Sequence, residues 1–168
     1  MGTNGTIAVL QRDFRGKSRL SVYLFQHSDG GALPVILAHA LHRSRDRWGQ
    51  EPYLARVIFS QMLMEHMMAR RPSPKEALET LESKLGFGIS TYFYGSDVDM
   101  LVVDPVRRRV GIAPIVGGLP STPHSWRSFD EWIEKHGGPA ATRTNRRGAR
   151  ARALSRTERA PKRKVRKR

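Results

Sequence analysis

The sequence predicts an α+β fold: a mainly antiparallel sheet of about five strands with three to four helices, followed by a disordered basic C-terminal tail. Three observations carry this expectation. Short β-branched runs come in pairs separated by turn residues, the helical patterns group between and after those pairs, and the charge is crowded into the last sixth of the chain. The expected division is a globular body over residues 1–140 and a tail over residues 141–168.

Thr6–Leu10 and Leu20–Phe25 read as two strands, and the polar link from Asp13 to Arg19, with Gly16, makes them a hairpin. Asp29-Gly30-Gly31 ends the second strand. Pro34 then opens a helical turn that runs on through Val35, Ile36, Leu37 and Leu41. His42 to Gln50 is polar and predicts a loop. Glu51-Pro52 begins a longer helix to about Arg70, with Leu54, Val57, Ile58, Met62, Met64, Met67 and Met68 on a broad apolar face. Ser73-Pro74-Lys75-Glu76 forms a capping-box pattern ahead of Ala77, Leu78, Leu81 and Leu85, with Gly86 as the stop. Ile89–Tyr94 predicts a strand. Met100–Asp104 and Arg109–Ile112 predict a second hairpin across Pro105-Val106-Arg107. Ser128–Ile133 opens a short amphipathic helix that Gly137-Gly138-Pro139 ends.

A chain of 168 residues is enough for one domain and a real core. It has no cysteine, which excludes disulfides, zinc–thiolate sites and cysteine nucleophiles. No apolar run reaches the ~18 residues of a membrane helix, and the first residues lack the pattern of a signal peptide. The expectation is a soluble cytoplasmic protein of a bacterial host. In a eukaryotic host, Pro161–Arg168 would read as a nuclear localisation signal.

Residues 1–140 hold 17 Lys/Arg against 14 Asp/Glu, net +3, whereas residues 141–168 hold 13 against 1, net +12. The thirteen are Arg143, Arg146, Arg147, Arg150, Arg152, Arg156, Arg159, Lys162, Arg163, Lys164, Arg166, Lys167 and Arg168. Leu154 and Val165 are the only large apolar residues among them, so the segment has too little to bury to offset its ordering entropy. As a flexible coil it spans roughly 30 Å root-mean-square. Ten of the thirteen are arginine, whose guanidinium fork matches phosphate oxygens. Arg152, Arg156, Arg159 and Arg163 would share one face if the segment became helical on a partner. The segment has no aromatic residue, so it is expected to hold a DNA or RNA backbone with little base selectivity. An anionic membrane is the weaker partner, because no apolar anchor accompanies the charges. A solubilising arm is the bland alternative.

In the body, Gly95-Ser96-Asp97-Val98-Asp99 followed by Met100–Val103 is the sharpest motif. It resembles part of the nucleotidyltransferase signature, in which Asp-x-Asp on a strand holds Mg²⁺ against a triphosphate. That resemblance makes Asp97 and Asp99 the alternative catalytic and metal residues. The departure is that Gly-Ser abuts the aspartates here instead of preceding them by a helical turn. The competing reading is a tight turn between strands. His27 and Asp29 form either a general-base pair or a polar turn with Asp29 capping Gly31. His39, His42 and His66 are candidate ligands or ordinary partly buried histidines. The methionines of the long helix make either core or an adaptable groove, and Trp126 and Trp132 are expected to cover the core. Arg107, Arg108 and Arg109 would extend the basic surface. Gly2 to Thr6 fits the loose N-myristoylation pattern.

Met1 to Ala8, Tyr23 through His27-Ser28-Asp29-Gly30, and Tyr92-Phe93-Tyr94-Gly95 together resemble small phage and prophage proteins that begin Met-Ser-Thr-Arg-Ser-Thr-Ile-Ala. In those a His-Trp-Asp-Gly strand end and an aromatic-Tyr-Gly stretch follow. Ser28 stands here in place of the usual Trp, and the basic tail is outside the pattern. The resemblance implies a phage-type origin and an α+β body, and no activity. A Thr-rich start leading into a strand is also similar to N-terminal nucleophile hydrolases, with Thr3 freed by processing as the nucleophile. The leading expectation is a non-enzymatic, nucleic-acid-associated accessory protein, with a protein partner or homodimer contact through the body. A Mg²⁺-dependent transfer enzyme and an N-terminal hydrolase are the alternatives.

Overall fold

The computed structural model describes residues 3–12, 19–27, 29–70 and 87–137, all within the first of two units, Met1–Gly137. The second unit, Gly138–Arg168, and the expected helix at 73–85 lie outside the described residues. Two strands, β1 (Gly5–Arg12) and β2 (Arg19–Gln26), open the fold. A 3-10 turn, Gly30–Ala32, leads into α1 (Leu33–Arg43), and a second one, Arg45–Arg47, precedes α2 (Glu51–Arg70). Then come β3 (Phe87–Ser90), β4 (Met100–Asp104), β5 (Arg109–Ala113), the two-residue strands β6 (Ile115–Val116) and β7 (Leu119–Pro120), β8 (His124–Ser128) and α3 (Phe129–His136).

Six strands form one sheet in the order β3-β2-β1-β4-β5-β8, and β6 pairs with β7 as a separate ribbon. Every pairing in the large sheet is antiparallel except β1 with β4, where Ile7, Ala8 and Val9 face Leu101, Val102 and Val103. The expected α+β class and mainly antiparallel sheet are therefore found, with three α-helices among the described residues. β1 and β4 are the central strands. A strand covered on both faces reads as an unbroken apolar run, as Met100-Leu101-Val102-Val103 does.

Alternation along each strand sorts the core into two. Ile7, Val9, Leu24, Leu101, Val103 and Val110 point to the helices, where Leu37, Leu41, Leu54, Ile58, Met62, Phe129 and Trp132 complete the main cluster. Ala8, Met100, Val102 and Ala113 point the other way, beneath Leu10, Tyr23, Phe93, Ile115 and Trp126. Among the described residues no helix covers this second face.

α1 is apolar almost all round because it lies between the sheet, α2 and α3: Leu33, Ile36, Leu37, Ala38, Ala40 and Leu41 are all buried. It runs to Arg43, two residues into the segment His42 to Gln50 expected as a loop. His42 and Arg43 fall in its last turn, where positive charge meets the carbonyl end of the dipole. The expected strand at Ile89–Tyr94 forms instead at Phe87–Ser90, because the chain leaves the sheet edge after Ser90. Trp132 is buried in the core as expected, with its indole N–H donating to Pro34 O at 3.2 Å.

α3 opens on a capping box. Glu131 N–H donates to Ser128 Oγ at 3.3 Å, and Ser128 N–H donates to Glu131 Oε2 at 2.6 Å. The Ser128 hydroxyl and its backbone N–H, with Arg127 nearby, hold the Glu131 carboxyl below its ordinary pKa. A carboxylate with a depressed folded-state pKa contributes stability above its unfolded pKa and loses it as pH falls through the folded value. We predict that Ser128→Ala lowers stability by about 1 kcal/mol near neutral pH. Its effect on thermal unfolding should shrink as the solution is acidified below the ordinary Glu range. Arg45→Gln, which breaks only an exposed pair with Asp130 at 2.9 Å and a 6.0 Å approach to the Trp48 ring, should stay within about 0.5 kcal/mol.

Candidate nucleic-acid interface

The segment before β1 is clasped by the loop before β4. Asn4 N–H donates to Asp97 Oδ2 at 2.7 Å, and Asp97 N–H donates back to Asn4 O at 3.0 Å. Thr6 Oγ1 donates to Gly95 O at 2.8 Å, and Ser96 Oγ to Val98 O at 2.6 Å. On the other side, Gly30 N–H donates to Thr3 O at 2.8 Å. The Gly95–Asp99 motif is therefore a loop that ties the chain start to the sheet. Asp97 and Asp99 precede β4 and do not stand on it. They also line different clefts: Asp97 the one beside β2, Asp99 one floored by Leu33, Leu101 and Trp132. Among the described residues no group of three His, Asp or Glu is placed to hold a metal ion.

Asn4, Gly5, Phe25, Gln26, His27, Tyr94 through Asp97 and Gly118 enclose a cleft of about 310 Å³. Its wall is aromatic. Tyr94 stacks on Phe25 with centroids 5.2 Å apart and planes 27° from parallel, and Tyr92 adjoins Tyr94 at 5.2 Å and 31°. His27 meets Phe25 edge-on at 5.4 Å. Phe25 can lie across its neighbour strand because its cross-strand partner is Gly88, where any Cβ would enter the ring. Tyr92 and Tyr94 are 61% and 59% exposed. The hydrogen bond to Tyr94, then that neighbour's charge, push the Tyr92 phenol above its ordinary pKa, with Ser90 opposing.

At the other end of the helix-free face, Trp126 lies flat over Gly111, and the Arg109 guanidinium sits 4.1 Å from the Trp126 ring centroid. Asp104 is buried, and Arg107 and Arg109 approach its Oδ2 at 3.3 and 3.5 Å. Two of the three hairpin arginines thus neutralise Asp104, and Arg108 is left exposed at the turn. A second cationic corner surrounds Tyr53, with Arg47 at 4.6 Å and Arg56 at 4.9 Å from its ring.

Compared with protein-family models, curated proteins and solved structures, the chain matches none. Its site is described by its own geometry.

The other sequence candidates separate. His27 lies at the 310 Å³ cleft, whereas Asp29 lines another with Glu65 and His66, so the two do not form a base pair. Asp29 adopts the left-handed conformation and caps nothing with its side chain. His39 Nδ1 donates to Glu65 Oε1 at 2.9 Å, Gln61 Nε2 donates to the same oxygen at 2.8 Å, and Arg43 Nη1 donates to Gln61 Oε1 at 3.0 Å. This polar bridge between α1 and α2 was not foreseen; Gln61 and Glu65 at i, i+4 were its visible signal. Burial and then Arg45 and His39 lower the pKa of His42, and His66 packs edge-on against Phe87. Of the four methionines in α2, Met62 is core and Met64 and Met68 are exposed. Thr3 is exposed just before β1; Gly2 and the thirteen basic residues of 141–168 lie outside the described residues.

The tyrosine pair gives a direct check. Tyr94→Phe removes the hydroxyl partner, so Tyr92 should ionise at lower pH, nearer the ordinary phenol value, in an alkaline absorbance titration of the protein. An unchanged titration curve would show that the two hydroxyls do not interact.

Proposed function

We propose that this chain is a non-enzymatic, nucleic-acid-associated accessory protein that holds the phosphate backbone through Arg143–Arg168. The observation that carries the proposal is the placement of charge: 12 of the 15 excess positive charges fall in residues 141–168. Phosphates neutralised by these side chains release condensed counterions, and the arginine bias adds bidentate contacts. The composition of the segment favours an unfolded arm in the free protein, so affinity is electrostatic and indifferent to sequence. The resemblance at residues 1–8, 23–30 and 92–95 is consistent with a phage-type origin.

The body supports the same reading. Its net charge is only +3, so it adds little long-range attraction. It carries what the arm lacks: exposed tyrosines and an arginine-stacked tryptophan on a sheet face that no described helix covers. Open sheet faces bearing aromatic residues suit nucleic-acid contact.

The test replaces the thirteen Lys/Arg of residues 141–168 by Gln in the full chain and measures retention of duplex DNA and of RNA at 50 mM salt. With about six phosphates engaged, the native chain should also lose ~10³ in affinity between 50 and 200 mM salt. We expect the neutralised variant to lose retention at every salt concentration. Retention equal to that of the native chain would reject the proposal.

A further inference from the structure

We infer that the Tyr92–Tyr94 pair and the adjoining cleft take unpaired bases, which makes the ligand a single strand. The inference rests on the nucleic-acid reading above and adds the part of the ligand that the basic segment does not recognise.

The rings argue for a flat π partner. Phe25, Tyr94 and Tyr92 form a stack that starts on β2 and ends in solvent, with more than half of each tyrosine exposed. Exposed aromatic rings held in a fixed orientation lose little entropy on binding, and a base laid on them continues the stack. Gly88 beneath Phe25 and the stacking of Tyr94 on that ring fix the orientation. Duplex bases have both faces covered by their neighbours, so only a single strand can use such a platform.

The cleft argues for a base and against a phosphate. Its about 310 Å³ lies at the small end of ligand sites. Its polar lining combines the Gln26 amide, the His27 ring, the Ser96 hydroxyl and the Asp97 carboxylate. Ser96 Oγ is given to Val98 O and Asp97 Oδ2 accepts from Asn4 N–H, so a base edge would meet the His27 ring and the second Asp97 oxygen. The Asp97 charge repels phosphate and accepts from exocyclic amino groups. The expected arrangement has bases directed inward at the cleft and phosphates outward, where arginines can reach them.

The experiment compares three ligands of equal length on the full chain: a single strand with bases, an abasic strand of equal charge, and a duplex. Each is run as DNA and, for the first, also as RNA, at 50 mM salt and again in 300 mM salt to suppress the electrostatic part. The native chain should bind the base-bearing strand about ten-fold more tightly than the abasic one. Tyr92→Ala/Tyr94→Ala should erase that preference, Tyr94→Phe should keep it, and the arm-neutralised variant should weaken both strands in parallel. Thermal unfolding confirms that the exposed substitutions leave the fold intact. Equal affinity for base-bearing and abasic strands, or a preference that survives the double alanine variant, overturns the inference and leaves the phosphate reading standing. Failure to bind any of the three ligands at 50 mM salt overturns both.

Discussion

The parallel pairing of β1 with β4 is the constraint from which the rest of the body follows. Two strands distant in sequence lie side by side and are buried on both faces. One face must then be closed by α1, α2 and α3, and the other by Tyr23, Phe93, Ile115 and Trp126. The pairing is fixed in place just outside the sheet, where Asn4 and Asp97 exchange hydrogen bonds and Thr6 reaches Gly95. That clasp also shapes the cleft, since the same Gly95–Asp97 loop forms one of its walls and carries Tyr94 into contact with Phe25. Stability and the candidate interface therefore share residues.

Much of this was legible in the sequence. Both hairpins, the long helix from Glu51 to Arg70 and the final short helix follow from local signals: β-branched runs, Pro at a helix start and apolar spacing. What could not be read was long-range. Nothing local to Ile7–Val9 or Leu101–Val103 says that these segments pair in parallel. The short ribbon at Ile115–Pro120 and the edge strand at His124–Ser128 lie in a Gly/Pro-rich stretch whose polar residues hide its strand character. The Ser128–Glu131 box was visible as S-x-x-E, although the helix start was recognised from its apolar residues instead.

The motif that looked most chemical turned out to have a structural occupation. Gly95-Ser96-Asp97 spends its polar atoms on the chain start and on Val98, and Asp99 faces another cleft. The aromatic run Tyr92-Phe93-Tyr94 is put to two kinds of use by its placement in the fold. Phe93 turns inward to Tyr23 and the second core, while its two neighbours stay in solvent.

The account divides recognition between charge and ring faces: a basic segment that attracts phosphate, and a body with little net charge that presents aromatic surface. The attraction is its central claim, and the salt dependence of binding measures it most directly. On duplex DNA, where the platform has nothing to stack upon, the slope of log affinity against log salt should be about −5 or steeper, the release expected from six or more phosphate contacts. A slope near zero would contradict the account.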